Sequence, residues 1–323
     1  MKKSFESQLA DHLEAFLLMK LSCGYRYVAE TSELRRLDRY LHANACPPDR
    51  IDRDLAERWV RLRKHERPRT MRARMSMFIQ FAKYARRHGV AAYLPDSKLA
   101  TTATQLDFVP YIFTHQQIHS LLTRVDGLAS DPRSPERHLV MPELFRLLCY
   151  CGLRVSEACN LTAEDVDAEA GVLRILDTKF RKNRLVPVAP SIRDRLRTYK
   201  QRMAFHRESD PFFPTARNKP FHQRSIYGLF RRFLNECGIP HGGRGKGPRL
   251  HDLRHTFAVH CLERWYRDGQ DINTRLPLLV TYLGHSTLSG TQRYLQLTPA
   301  IFPDINGRLN HWFNDQVSKE AAQ

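Results

Sequence analysis

Apolar side chains in the first hundred residues recur at every third or fourth position, which is the spacing of one helix face. Breaks separate three such stripes, because Pro47 and Pro48 follow the second and Pro68 precedes the third, with a short helix expected near residues 51–64. The pattern predicts a four-helix module with the stripes as its core. The stripe positions are Leu9, Leu13, Phe16, Leu17, Leu21, Leu34, Leu37, Leu41, Met71, Met75, Phe78, Ile79 and Ala82.

The helical pattern stops between residues 89 and 112, where Gly89, Pro95, Pro110 and a Thr-Thr-Ala-Thr run have the composition of a linker. At 323 residues the chain also exceeds the usual size of one domain. We therefore expect two domains, 1–105 and 112–323. The Thr114-to-Gln117 spacing is that of a capping box and predicts that a helix opens the second domain.

Two β-rich runs in the second domain, residues 172–176 and 184–188, predict a hairpin, whereas the rest has helical character. The fold class is therefore mainly α with one small β-hairpin. From about residue 299 a further apolar stripe predicts a terminal amphipathic helix, which packs on its own domain or docks on a neighbouring subunit. That stripe consists of Ile301, Ile305, Leu309, Trp312 and Phe313.

The charge balance indicates a polyanionic partner, because 52 Lys and Arg face 34 Asp and Glu and leave a net charge of +18. The charge is concentrated in residues 61–90, where Glu66 is the one acid, and a cluster of one sign repels itself unless phosphates neutralise it. We predict contact with double-stranded DNA there. The residues are Arg61, Arg63, Lys64, Arg67, Arg69, Arg72, Arg74, Lys83, Arg86 and Arg87.

Other protein classes fit the sequence less well. Nothing approaches the run of about 20 apolar residues that spans a bilayer, and the N-terminus turns acidic where a signal peptide would be apolar. We expect a cytoplasmic, nucleoid-associated protein without membrane contact. The seven cysteines lack paired spacing and are expected to be free and mostly buried.

Four segments of the second domain carry candidate chemistry: Gly-Leu-Arg-Val-Ser-Glu at 152–157, Thr-Lys at 178–179, His-Asp-Leu-Arg-His-Thr at 251–256, and Leu-Gly-His at 283–285 followed by Tyr294. This ordered series resembles the tyrosine recombinases, the phage-integrase-like enzymes. The resemblance covers most of the chain, since that family carries a small helical, SAM-like DNA-binding domain before the catalytic one. It implies a site-specific recombinase that cleaves and rejoins DNA through a 3′-phosphotyrosine, with four protomers holding two duplexes.

The residue types suit phosphoryl transfer without a metal. Arg154 and Arg254 can each grip phosphate oxygens in a fork and stabilise a pentavalent transition state. Tyr294 is the expected nucleophile, with His251 accepting its proton and Lys179 protonating the departing 5′ oxygen. Tyr266 and Tyr282 are rivals of Tyr294, but Tyr294 has the family's offset from Leu-Gly-His.

Supporting roles follow for the neighbouring residues. His285 would donate a hydrogen bond to the phosphate, Glu157 would orient an arginine or imidazole, and His255 would support its helix. Lys182 is the alternative general acid, and the hairpin's basic residues Arg181, Lys182 and Arg184 are expected to contact DNA.

No metal, ATP or other cofactor is expected. The closest group to a metal site, His251, His255, His260 and Cys261, lacks the glutamate of an H-E-x-x-H site.

Two departures from the commonest family pattern bear on the branch. Lys179 lacks flanking glycines, and the stretch from 255 to 283 is long, which suggests a transposon- or integron-like integrase or transposase. Helper recombinases or accessory proteins are possible partners. Three alternatives stay open: a type IB topoisomerase, a catalytically silent DNA-binding accessory protein, and a metal-dependent nuclease.

Overall fold

The computed structural model describes residues 5–66, 68–96, 109–176, 183–243 and 247–285, together with Tyr294. The predictions for Arg67, Lys179, Arg181, Lys182 and the terminal stripe at 301–313 lie outside these residues. The chain divides into two compact units, residues 1–108 and residues 109–323. Within the described residues, no helix is both long and apolar enough to cross a bilayer.

Among its described residues, the first unit contains four helices and a two-residue parallel pairing of β1 with β2, which the sequence pattern did not predict. Its elements are α1 (Ala10–Ser22), α2 (Val28–Ala43), β1 (Arg50–Ile51), α3 (Arg53–Val60), α4 (Pro68–Arg87) and β2 (Ala91–Ala92). Pro68 is the first residue of α4, where its fixed φ suits a helix start and its missing N–H costs nothing.

The apolar stripes form the core of this unit, as predicted. Phe16 of α1 packs edge-on against Phe81 of α4, and the predicted leucines of α2 are fully buried. The prediction for Leu21 is wrong, because this side chain is 44% exposed. It lies in the last turn of α1, where the apolar spacing continues but this side chain is directed to solvent.

The second unit contains seven helices among its described residues, and they surround a core centred on the buried helix α6. Thr114 and Gln117 form the predicted capping box at the start of α5, with both hydrogen bonds present. The helices are α5 (His115–Asp126), α6 (Arg137–Tyr150), α7 (Val155–Cys159), α8 (Pro190–Met203), α9 (Gln223–Glu236), α10 (Leu250–Arg267) and α11 (Ile272–Leu283).

The predicted hairpin is present as β4 (Val172–Ile175) and β5 (Arg184–Pro187), which pair antiparallel. A third strand, β3 (Val166–Asp167), extends the sheet to the order β3-β4-β5. Two residues are too few to show an alternating pattern, so the sequence carried no strand signal there.

Helix α10 packs against α6 and α11, and its buried face includes Leu253, Ala258 and Leu262. Its Thr256 hydroxyl accepts a hydrogen bond from the backbone N–H of Phe113, which ties the beginning of the unit to this helix. All seven cysteines are free, and four are buried, as expected.

Candidate active site

The first two turns of α10 carry His251, Arg254 and His255, whose spacing brings them to one side of the helix. Asp252 fixes the start of this helix, because its carboxylate accepts a hydrogen bond of 2.8 Å from the Arg249 N–H. The predicted residues of the H-D-L-R-H-T motif are therefore held on a capped, packed element.

Arg254 is almost completely buried, with 1% of its surface exposed. Its guanidinium donates to the Gly152 carbonyl at 2.8 Å and to the Leu283 carbonyl. Both carbonyls lie at helix ends, where backbone acceptors lack partners within the helix. Its Nε–H is buried with no hydrogen-bond partner among the described residues.

Arg154 caps the start of α7 and reaches the same helix ends. Its guanidinium donates to Glu157 at 2.6 Å and to the Gly284 carbonyl at 3.1 Å. Arg154 remains partly exposed, unlike Arg254. The two predicted arginines therefore converge on the chain reversal between α11 and His285, one buried and one open to a ligand.

Glu157 lies between three arginines, because its carboxylate also binds Arg184 at 2.8 and 3.0 Å and comes within 3.9 Å of Arg254. Burial alone would raise the pKa of Glu157, but Arg184 and Arg154 outweigh it and hold the pKa at about 2. The residue is therefore ionised at neutral pH, and its contacts with Arg154 and Arg184 are consistent with the orienting role expected for it.

The prediction that Arg184 contacts DNA is wrong. Its side chain is 9% exposed and is fully engaged, with two nitrogens on Glu157 and Nε donating to the Tyr282 carbonyl at 2.8 Å. Arg184 is the first residue of β5, and its side chain is directed toward Glu157. Sequence reasoning missed this role because nothing local distinguishes Arg184 from the other basic residues of the hairpin.

Tyr294 is buried, and its hydroxyl lies 3.0 Å from Nδ1 of His255. Burial raises the pKa of Tyr294, whereas Arg254 and Arg154 act in the opposite direction. The expectation was that His251 would accept the phenol proton and that His255 would only support its helix. In the structure, His255 instead makes the direct contact with Tyr294. The His251 ring packs edge to face against the His255 ring, with centroids 4.7 Å apart.

The three histidines of the cluster are neutral at physiological pH. Desolvation and neighbouring positive groups lower the pKa of His251 and His285 to about 4 and that of His255 to about 3. The His285 ring lies 6.1 Å from the Tyr294 ring. A neutral imidazole beside a protonated phenol is the arrangement that a general base requires.

The rival tyrosine Tyr282 belongs to the packing of the unit. Its ring stacks on Phe257, and its hydroxyl donates to the Pro187 carbonyl at 3.1 Å. A hydroxyl held by a backbone carbonyl at the strand edge is not available to attack a phosphate, which argues against Tyr282 as the nucleophile.

A cavity of about 590 Å³ opens beside Arg154 and His251, and its lining also includes Arg224 of α9 and Arg249 before α10. Sequence reasoning missed these contributors, since they lie outside the four motifs and carry only the general signal of positive charge. The lining residues are Arg154, Val155, Ser156, Gln223, Arg224, Tyr227, His241, Arg249, Leu250 and His251.

In the first unit, one of the predicted DNA contacts is wrong. Arg74 is 2% exposed; its guanidinium binds Glu66 at 2.6 Å and the Arg61 carbonyl, and it lies over the Trp59 ring. Its position on α4 faces the core, so it stabilises the unit. The described residues of this predicted surface that are exposed are Arg61, Arg63, Lys64, Arg69, Arg72, Lys83, Arg86 and Arg87.

Comparison with known proteins gives consistent results for sequence and fold. Residues 112–300 match the model of the phage integrase family. A protein with the name integrase/recombinase y4rB, from Sinorhizobium fredii (strain NBRC 101917 / NGR234), is 31% identical over 94% of this chain and 98% of its own length. The tyrosine recombinase XerD of Ralstonia nicotianae (strain ATCC BAA-1114 / GMI1000) is 29% identical over 75% of this chain and 74% of its own.

Among solved structures, the Tn1549 transposon integrase in complex with transposon right end DNA has a TM-score of 0.64 to this chain. The match covers 88% of this chain and 94% of that one at 20% identity. At this identity the likeness concerns the fold, which is the mainly α architecture predicted from the sequence.

Proposed function

The chain belongs to the phage integrase family and is a site-specific DNA recombinase of the tyrosine type, and we propose that it cleaves and rejoins DNA through a phosphotyrosine formed on Tyr294. The observation that carries this proposal is the contact between the Tyr294 hydroxyl and Nδ1 of a neutral histidine, 3.0 Å apart, beside two arginines.

The arginines are the proposed phosphate-binding groups. Arg154 is open to the cavity, and Arg254 retains a buried donor, so a phosphate at this point would accept hydrogen bonds from both. Their charge would stabilise the extra negative charge of the pentavalent transition state, most strongly in a site from which water is excluded. Glu157 and Arg184 hold this pair in place without contacting the phosphate.

The bonds formed and broken in the proposed cleavage balance without a cofactor. The Tyr294 oxygen attacks phosphorus and its proton passes to His255; the P–O5′ bond breaks, and the 5′ oxygen takes a proton from a general acid. We assign that acid to Lys179, with Lys182 as the alternative. A phenolate leaves more readily than an alkoxide, so a 5′ hydroxyl can attack the phosphotyrosine and reseal a strand.

The DNA partner is proposed to be duplex, held by residues 1–105 on one side and cut by residues 112–323. The exposed basic residues of α4 would grip the backbone, since phosphate contacts position a protein on DNA. We propose a homo-tetramer on two paired sites, joined through the segment from about residue 299, with helper recombinases or accessory proteins as further partners. The transposon- or integron-like branch remains our proposal, supported by the length of the 255–283 stretch.

The test is covalent capture. The purified protein is incubated, without added metal, with labelled and nicked duplex DNA from the flanks of its own gene and then analysed on a denaturing gel. The wild-type protein is expected to form a protein–DNA adduct, and Tyr294→Phe is expected to form none. Tyr282→Phe is the matched control, because it also removes a hydrogen-bonded tyrosine hydroxyl of this unit, and it should form the adduct.

Other outcomes favour the alternatives. If the wild-type protein and both variants bind the DNA well but none of them forms an adduct, the chain is a catalytically silent accessory protein. An adduct with relaxation of a single supercoiled duplex, but without exchange between two sites, would indicate topoisomerase activity. Cleavage that EDTA abolishes would indicate a metal-dependent nuclease.

A further inference from the structure

A second group of chemically competent side chains lies away from the catalytic cluster, where the start of α5 meets the middle of α10. His115, His260 and Glu263 bring one nitrogen or oxygen each within 4.8 Å of the others. The two imidazole rings stack with centroids 3.9 Å apart. His260 and Glu263 are spaced i, i+3 on α10, which turns both toward the same side of the helix.

From this geometry we infer that His115, His260 and Glu263 form a binding site for a Zn²⁺-like divalent cation. Two imidazole nitrogens and one carboxylate are a ligand set that zinc accepts, with a water completing a tetrahedron. A hard ion such as Mg²⁺ prefers oxygen ligands and should not compete.

The environment of His260 supports the assignment independently of the ligand spacing. Its ring lies against the backbone of Phe113, within reach of a hydrogen bond. Metal-binding histidines commonly donate one ring N–H to a carbonyl, because this fixes the tautomer and leaves the other nitrogen's lone pair for the ion. A bond of this kind from His260 to Phe113 would leave its other ring nitrogen for the ion.

Among the described residues, the ion pair of Glu263 is a weak one. Its side chain is 13% exposed, and its ion pair with Arg267 spans 3.8 Å, beyond hydrogen-bond distance. Arg267 is itself 62% exposed, so water screens this pair. A bound cation would give the half-buried carboxylate a stronger partner.

The ion would join two segments that already meet. The backbone N–H of Phe113 is bonded to Thr256 of α10, and His115 follows two residues later. Zinc would therefore clamp the beginning of the second unit to the helix that carries His251, Arg254 and His255. We assign it a stabilising role; none of its three ligands takes part in the proposed DNA chemistry.

The test is calorimetric titration of ZnCl₂ into the metal-free full-length protein, with Co²⁺ absorption as a report on the ligand set. The wild-type protein should bind one ion per chain, and its melting temperature should rise by roughly 5–10 °C at a hundredfold excess over Kd. MgCl₂ should have no effect. His115→Ala and Glu263→Gln should each lose the binding, and both should fold because His115 is exposed and the glutamine keeps the side chain's shape.

His119→Ala is the matched control, since His119 is an exposed histidine one turn further along α5. It should retain one site and the full rise in melting temperature. Equal zinc binding by wild type and His115→Ala would overturn the proposal. So would loss of the site in His255→Gln but not in His115→Ala, because the ion would then be held by the catalytic histidines.

Discussion

At the scale of single residues, the pairing of His255 with Tyr294 determines which group can take the phenol proton. Nδ1 of His255 and the hydroxyl oxygen of Tyr294 are already at hydrogen-bond distance in the protein without DNA. Because burial raises the pKa of Tyr294, the hydroxyl stays protonated at neutral pH and needs a base. This contact distinguishes His255 from His251, which the motif alone favoured.

The expected consequence is a change in pH dependence when His255→Gln is introduced. A base acts in its neutral form, and His255, with a pKa of about 3, stays neutral until the pH falls well below 5. Wild-type cleavage should therefore be flat between pH 5 and 8. His255→Gln should be slower by roughly 10²–10⁴-fold, and its rate should rise about tenfold per pH unit as solvent forms the phenolate.

Single-turnover cleavage of nicked DNA measures both profiles, with His251→Gln as the comparison. If His251→Gln acquires the steep alkaline rise while His255→Gln keeps a flat profile, the proton acceptor is His251 and the assignment from geometry fails. A slow but flat His255→Gln profile would mean that His255 only positions the tyrosine.

At the scale of elements, the positions of the proposed phosphate-binding arginines depend on how three helix ends meet. The end of α6, the start of α7 and the end of α11 are joined by bonds from Arg254 and Arg154 to carbonyls. Gly152 lies at this junction with a φ of +57°. A Cβ there would lie 2.5 Å from the ring of Phe257 and 3.1 Å from Leu283. The glycine thus permits both the backbone conformation and the close approach.

Gly152→Ala should therefore destabilise the protein by about 2–4 kcal/mol, since the strain of a left-handed residue adds to overpacking. Gly269→Ala is the matched control: its φ is +67°, but a Cβ would meet nothing within 4 Å. That variant should lose only about 1–2 kcal/mol. Urea unfolding measures both, and equal losses would show that the contact with Phe257 relaxes freely.

At the scale of the whole molecule, only some of the basic residues behind the net charge of +18 are available to bind DNA. Some arginines, such as Arg74 and Arg184, form ion pairs inside the protein. They cannot neutralise phosphate unless these buried ion pairs break. Others, such as Arg86 and Arg87 at the end of α4, are exposed. The net charge counts buried and exposed arginines alike, whereas DNA binding depends on the exposed arginines alone.

The salt dependence of DNA affinity should show which exposed arginines contact phosphate. Each phosphate contact that is lost reduces the slope of log K against log salt by about 0.9. Replacing both Arg86 and Arg87 by alanine should therefore reduce the slope by about 2. The matched control is the double alanine variant of Arg35 and Arg36, two exposed arginines of α2 in the same unit. Fluorescence anisotropy measures the slopes; the same slope in both variants would exclude the end of α4 from the DNA-binding surface.

Much of the architecture followed from local patterns in the sequence. Stripes of apolar residues, Pro68 and the Thr114–Gln117 box act within a few residues of chain, so they predicted α4, α5 and the buried faces correctly. The hairpin strands were also found, whereas the two-residue strand β3 was too short to carry a pattern. The catalytic motifs were recognisable because each keeps its residue types at fixed local spacing.

Tertiary packing decided which of those residues touch. Arg184 binds Glu157, His255 meets Tyr294, and His115 stacks on His260, although each pair is far apart in sequence. Such contacts depend on how helix ends and strands come together, and a linear pattern carries no record of that geometry. For the same reason the sequence could identify Arg74 as basic, but only the packing of α4 on Trp59 and Glu66 decided that its charge is internal.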